Sequence, residues 1–234
     1  MIDFEKIRSS FPILNVKVND NKLVYFDNAA TTQTPTQVTN TIRDYFYKQN
    51  SNIHRGVHHL SNISTEDFEQ SRKKVREFVG AEKEEEIIFT KGTTDSINLV
   101  ATSFQKFLKS GDEILISEME HHSNIVPWQL CAEKTGAKIK VVSVTKEGEI
   151  DIDHLEKLLN EKTKILSITH ISNTLGTINP ITEITKLARK FDTKVFIDGA
   201  QAIAHQKVNV TELDVDFYCF SAHKLYGPTG VGVL

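Results

Sequence analysis

The chain has 234 residues, 39% of them hydrophobic and 25% charged, with a formal net charge of −3. That balance is ordinary for a globular protein and gives no reason to expect nucleic acid or an anionic membrane as a partner. No apolar run approaches the roughly 20 residues a membrane span needs, and the opening Met1-Ile2-Asp3-Phe4-Glu5-Lys6 lacks a signal-peptide core. The length suits one large domain or one and a half. Cys131 and Cys219 make neither a disulfide framework nor a zinc motif, so a reducing cytoplasm fits best.

In chain order, residues 3–11 read as a short helix with Phe4, Ile7 and Phe11 on one side, ended by Pro12. Lys22 to Phe26 reads as a strand, followed by a turn of small and polar residues, Asp27-Asn28-Ala29-Ala30-Thr31-Thr32, which lets backbone approach a ligand closely. Gln37 to Lys48 carries Val38, Ile42, Tyr45 and Phe46 in helical spacing. His54, His58 and His59 invite a metal reading, but carboxylate and cysteine partners at ligand spacing are missing, and Arg55 suits an anion instead. Thr65 to Val79 predicts a long helix with Ser64 or Thr65 as its cap.

Beyond this point strands and helices alternate. Strands are expected at 86–90, 113–117, 138–144, 164–169, 194–197 and 216–220, with helices at 97–108, 124–134, 152–159 and 181–191. A run at 230–234 is also strand-like, and an apolar strand at the last residue suggests a longer chain. Such alternation predicts an α/β fold, a mostly parallel sheet with helices on both faces. No linker divides residues 21–234, and residues 1–20 are expected to form a separate N-terminal segment.

In an open parallel sheet, ligands bind at the carboxyl ends of strands. The residues that follow the predicted strands are Thr93 and Thr94, His121 and His122, His170 and Asn173, Asp198 and Gln201, then Ser221, His223 and Lys224. Each has an ordinary reading. Gly92-Thr93-Thr94 is a plain helix cap or a phosphate site built from hydroxyls and free N–H groups. Asp198 is a helix cap or the partner of a ring nitrogen. His121 is a surface imidazole or a flat ring stacked on a cofactor. Lys224 is a surface lysine or a catalytic amine on a tight loop. No Walker A loop or Gly-x-Gly-x-x-Gly fingerprint is present. One cofactor, pyridoxal 5'-phosphate, accounts for all of these residues together. Its aldehyde needs Lys224, its pyridine nitrogen needs Asp198, and its phenolic oxygen needs donors such as Gln201 and Asn173. Its phosphate needs Thr93, Thr94, Ser221 and His223.

Seven motifs then match a known family in order and spacing. They are Asp27-Asn28-Ala29-Ala30-Thr31, His54-Arg55-Gly56, Gly92-Thr93-Thr94, Glu120 through Trp128, His170-Ile171-Ser172-Asn173, Asp198-Gly199-Ala200-Gln201 and Ser221 through Pro228. The chain resembles the SUF-type (group II) cysteine desulfurases, also known as selenocysteine lyases, of the class V aminotransferase fold. The resemblance implies a fold-type I homodimer that converts L-cysteine, or L-selenocysteine, to L-alanine. Sulfur would remain as an enzyme persulfide and pass to a SUF-type acceptor protein for iron–sulfur cluster assembly. It also implies that Lys224 and His121 are catalytic. Thr93, Thr94, His121, Asn173, Asp198, Gln201, Ser221, His223 and Lys224 would hold the cofactor. Ala29, Ala30, His54, Arg55 and Asn173 would lie near the substrate. No metal is expected. The resemblance implies that the persulfide cysteine and a carboxylate-binding arginine are expected in a second half beyond Leu234. Cys131 and Cys219 read as buried structural residues. Two alternatives stay open: another class V enzyme, such as a kynureninase-like hydrolase or an epimerase, and a cofactor-binding chain without turnover.

Overall fold

The structure is a computed structural model that describes residues 3–234; Met1 and Ile2 of the opening stretch lie outside the described residues. Helix α1 (Phe4–Ser9) is capped by Asp3, whose carboxylate accepts from the Lys6 backbone N–H at 3.0 Å. A two-residue hairpin follows, β1 (Lys17–Val18) against β2 (Asn21–Lys22). The strand expected over Lys22 to Phe26 does not form beyond Lys22. Its apolar residues find no neighbouring strand to pair with, and Val24 and Phe26 are 69% and 93% exposed.

Helix α2 (Thr36–Lys48) forms as its spacing predicts, yet buries no residue. Helix α3 (His59–Val79) starts six residues before the expected Thr65. The His58 imidazole does the capping, accepting from Ser61 N at 3.4 Å. Ser64 and Thr65 do not cap α3: Ser64 Oγ donates to the Gln49 carbonyl at the end of α2 at 2.9 Å, and Thr65 Oγ1 bonds one turn back to the Ser61 carbonyl at 2.7 Å, as mid-helix hydroxyls do. Gly80 ends α3 at φ 67°, the left-handed conformation that glycine reaches without a Cβ penalty.

The remaining elements alternate. They are β3 (Phe89–Thr90), α4 (Thr93–Phe104), β4 (Glu113–Ser117), α5 (Val126–Thr135), β5 (Lys138–Val142) and α6 (Ile152–Leu158). Then come β6 (Thr163–Thr169), α7 (Ile181–Arg189), β7 (Lys194–Asp198), α8 (Ala202–His205), α9 (Val210–Leu213), β8 (Phe217–Ser221) and β9 (Gly232–Val233). The expected strand at 86–90 shortens because Glu84–Glu86 form a 3-10 turn. The strands form one seven-stranded sheet in the order β3-β9-β8-β7-β6-β4-β5. Every pair from β8 to β5 is parallel, and β9 runs antiparallel to both of its neighbours.

Alternation along the strands sorts the core into two layers. Ile114, Ile116, Ile165, Phe196 and Cys219 face the apolar stripes of α4 and α5, including Ile97, Phe104 and Trp128. Leu115, Leu166, Val195, Ile197 and Tyr218 face α6 and α7, including Leu155, Ile181 and Ile184. Helices therefore cover both faces, as the alternation predicts. Among the described residues no helix is long and apolar enough to cross a membrane. The parallel strands β4, β6, β7 and β8 end at Ser117, Thr169, Asp198 and Ser221, and the site lies beyond those ends.

Candidate active site

A cavity of about 490 Å³ is lined by Thr93, Thr94, His121, Asn173, Asp198, Gln201, Ser221, His223 and Lys224, with Ala29 and Ala30 beside them. The strand-end argument collects these residues together with His122 and His170, which do not line the cavity. A larger hollow of about 650 Å³ takes its lining from α7, α9 and nearby loops; it includes His170 but none of the residues that line the first cavity.

Each side chain arrives by a local structural reason. Asp198 is the last residue of β7 and is only 4% exposed. Its Oδ1 accepts from the Ala200 backbone N–H at 2.9 Å, which fixes the carboxylate at the strand end. Gly199 lets the Tyr218 ring pack against the backbone there, since a Cβ would lie 2.1 Å from that ring. Gln201 donates through Nε2 to the Ala29 carbonyl at 2.8 Å and so draws the 27–32 turn over the cavity. Lys224 and His223 sit on a 3-10 turn, Ala222–Lys224, directly after β8. The His223 carbonyl accepts from Thr32 N at 2.8 Å, Thr31 Oγ1 at 3.1 Å and Thr32 Oγ1 at 3.0 Å. Thr32 Oγ1 also accepts from Tyr226 N at 2.8 Å, so two threonines strap the N-terminal turn to the lysine turn.

Thr93 and Thr94 open helix α4, where backbone N–H groups carry partial positive charge. Ser221 Oγ accepts from Thr93 N at 2.7 Å and lies 2.8 Å from Thr93 Oγ1. Close packing shapes this corner. A Cβ on Gly232 would fall 2.4 Å from the Gly92 Cα, so only glycine lets β9 pass beneath the turn that leads into α4. His121 precedes a 3-10 turn, His122–Asn124, and its Nδ1 accepts from Ser123 N at 3.2 Å and meets Ser123 Oγ at 2.8 Å.

Burial and neighbouring charge set the electrostatics. Burial pushes the Asp198 carboxyl above its ordinary range, while the Ala200 N–H, Lys224 and His121 pull it back. Burial likewise lowers the Lys224 ammonium, and Asp198 opposes that shift. His223 is lowered by burial and by the adjacent Lys224 charge. Next to His121, the buried Glu120 carboxyl is raised by burial to about 7, with hydrogen bonds to Ser117, Asn124 and Thr169 holding it from going further.

The donor set fits pyridoxal 5'-phosphate. A buried carboxylate and a half-buried lysine share the cavity, and a helix N-terminus with two threonines and a serine opens onto it. His54 and Arg55 do not join them: both are exposed on the loop before α3, and His54 Nε2 lies 3.2 Å from Glu69 Oε1. Among the described residues no group of three His, Cys, Asp or Glu side chains could hold a metal ion, so His54, His58 and His59 do not converge. Asp27, Ser123, Thr169, Ile171 and Ala200 also line the cavity. The sequence reading missed these as site residues. Thr169 and Ser123 carried a usable signal, one as a strand's last residue and the other two positions after His121. Cys131 and Cys219 are buried and free, with thiols raised by burial.

Comparison with known proteins agrees with this geometry. A probable cysteine desulfurase of Halalkalibacterium halodurans is 50% identical over 230 residues, which is 98% of this chain and 57% of that protein. A cysteine desulfurase of Synechococcus elongatus is 49% identical over 233 residues, covering 99% of this chain and 37% of the relative. The chain thus spans about half the length, or less, of these curated relatives. Among solved structures, the apo cysteine desulfurase of Thermococcus onnurineus NA1 superimposes with a TM-score of 0.92 at 40% identity, over 100% of this chain and 56% of that one. SspA in complex with cysteine gives a TM-score of 0.82 at 26% identity, over 90% of this chain and 60% of its own. The family model described as "Aminotransferase class-V" matches residues 24–234, and the chain belongs to that family.

Proposed function

We propose that the chain is the cofactor-binding part of a pyridoxal 5'-phosphate-dependent cysteine desulfurase of the SUF type. It would turn L-cysteine into L-alanine and release sulfur to an acceptor thiol for iron–sulfur cluster assembly. The observation that carries this reading is the shared cavity of Lys224, Asp198 and the Thr93–Ser221 corner. The cysteine desulfurase relatives at about 50% identity, and the cysteine bound in SspA, support the choice of substrate. In this reading residues 21–234 are the large cofactor-binding unit of a homodimer.

When bound, the cofactor supplies an electron sink for the carbanion formed at the amino acid's α-carbon. Lys224 would hold its aldehyde carbon and, once released, move the α-proton of the substrate. Partial burial favours the neutral amine that both tasks require. Asp198 would hold a proton at the ring nitrogen, and Gln201 and Asn173 would bond the phenolic oxygen. Thr93, Thr94, Ser221 and His223 would bind the phosphate, and His121 would cover the ring and pass a proton to the leaving carbon. Ala29 and Ala30 would leave room for the substrate. Neither Cys131 nor Cys219 suits the acceptor role, because a buried thiol with a raised pKa is a poor nucleophile. The acceptor thiol would lie outside the described residues.

The test is borohydride reduction of the protein with pyridoxal 5'-phosphate, followed by peptide mass mapping. The label is expected on Lys224 and is expected to vanish in Lys224→Ala. A label carried by any other lysine overturns the assignment. Alanine formed from L-cysteine by the active enzyme, and lost in the same variant, identifies the desulfurase reaction.

A further inference from the structure

His121 is held by few direct contacts. Its ring is fixed through Nδ1 by Ser123 alone, on a short turn closed by Asn124 N to His121 O at 2.7 Å and Ile125 N to His122 O at 3.1 Å. Two exposed polar bonds cannot hold an imidazole in one place. The residues on either side of that turn are bound differently. Glu120 is buried, and its Oε1 accepts from Ser117 Oγ at 2.5 Å and Thr169 N at 3.0 Å. Its Oε2 accepts from Asn124 Nδ2 at 2.6 Å. Asn124 in turn accepts through Oδ1 from Trp128 Nε1 at 3.0 Å and Ser167 Oγ at 2.6 Å. Ser117, Asn124, Trp128 and Ser167 are all buried.

We propose that Glu120 is a positioning residue for His121: with Asn124 it forms a buried clasp that locks the turn between β4 and α5 onto strand β6. The clasp spans His121 from both sides, Glu120 before it and Asn124 after. Both grip β6, through Thr169 N and Ser167 Oγ, and Thr169 itself lines the cavity. The arrangement is directional. All three partners of Glu120 donate, and both partners of the Asn124 oxygen donate. With its carboxyl ionised, as it is above about pH 7, Glu120 and the amide at 124 satisfy every atom of this chain of bonds. A buried network of this kind is stiff when complete and costly when one member is left unpaired. The clasp stands on its own hydrogen bonds; its effect on the cofactor rests on the reading of His121 given above.

That directionality supplies the test. In Glu120→Gln either orientation of the new amide sets two donors against each other, at Asn124 Nδ2 or at Thr169 N, so one bond of the clasp is lost. In the exchanged pair Glu120→Gln/Asn124→Asp, the Gln amide donates to the Asp carboxylate, which still accepts from Trp128 and Ser167. Trp128 is the sole tryptophan of the 234 residues, so its indole N–H resonance reports the network without ambiguity. Three measurements are made on the parent, both variants, His121→Ala and the Glu120→Gln/His121→Ala double variant. They are the Trp128 indole shift, amide exchange of residues 121–125, and pyridoxal 5'-phosphate affinity by fluorescence quenching. Glu120→Gln should shift the indole signal and speed local exchange about tenfold, and the exchanged pair should restore both. It should also weaken the cofactor as much as His121→Ala does, with no further loss in the Glu120→Gln/His121→Ala double variant. Unchanged exchange in Glu120→Gln overturns the proposal, as does failure of the exchanged pair to recover what Glu120→Gln loses, folding included. If His121→Ala binds the cofactor normally, the reading of His121 falls while the exchange data still decide the clasp.

Discussion

The chain before residue 60 and the chain after residue 86 obey the same periodicities with different results. Helix α2 places Val38, Ile42, Tyr45 and Phe46 in helical spacing but buries no residue, and Phe46 is 63% exposed. Helices α4 and α7 carry comparable stripes and bury them completely against the sheet at Ile97, Val100, Ile181 and Ile184. The difference lies in the partner surface, since an amphipathic face is stabilised only by what it packs against. The same division runs through the site. Strand-end residues reach the cavity, whereas His54 and Arg55, from the loop before α3, remain at the surface.

The largest way to break this comparison is to truncate one aromatic from each region. Phe196 is fully buried between Trp128 and Phe217. Phe196→Ala should cost about 4 kcal/mol in urea unfolding, the usual range for an emptied aromatic site. Phe46→Ala should change stability by no more than about 0.5 kcal/mol. Equal losses in the two variants would mean that the N-terminal helix contributes to the same core, and the division would fail.

The division also explains what could be read from sequence. The strands over 113–117 and 163–169 were legible because a parallel sheet demands continuous apolar runs, here Ile114-Leu115-Ile116 and Ile165-Leu166. Asp198, Ser221 and Lys224 were legible because polar groups directly after such runs must sit at the strand ends. Lys22 to Phe26 misled, since an apolar run predicts a strand only if another strand lies alongside it. The start of α3 misled because a histidine caps as serine does, and Ser64 and Thr65 looked like the better cap. The clasp of Glu120 and Asn124 was not legible at all. Nothing in the spacing of two polar residues shows that both are bonded to a strand 43 and 49 residues further along the chain.

The next largest effect is a pH dependence with two opposing parts. Glu120 rises from 4.5 to about 7 on burial, so the folded state holds a proton there that the unfolded state has lost. Glu120 therefore subtracts stability as pH rises across that window, by about 3 kcal/mol in all. Burial lowers His170 from 6.5 to about 4, so the unfolded state takes up a proton the folded state refuses, and stability is lost as pH falls. The two slopes have opposite signs between pH 4.5 and 6.5 and largely offset in the parent protein. Glu120→Gln leaves the His170 slope exposed. Its unfolding free energy should rise with pH more steeply than the parent's, by about 3 kcal/mol between pH 4.5 and 7. Parallel pH profiles would show that Glu120 does not titrate there.

The smallest effect separates the two sides of the site itself. Ser221 Oγ is buried between Thr93 N and Thr93 Oγ1, so Ser221→Ala leaves a buried N–H without its acceptor. The expected cost is about 1.5 kcal/mol of stability and a roughly tenfold weaker hold on pyridoxal 5'-phosphate. Arg55→Ala removes an exposed side chain, and His54→Ala removes surface contacts with Glu69 and the Phe68 ring, the ion pair being of a kind worth less than about 1 kcal/mol. Both should leave cofactor affinity as it was. Any part His54 and Arg55 play then acts on the substrate, and it would appear in KM for L-cysteine with cofactor binding unchanged. Loss of cofactor affinity in Arg55→Ala equal to that in Ser221→Ala would place the loop before α3 over the phosphate corner in solution.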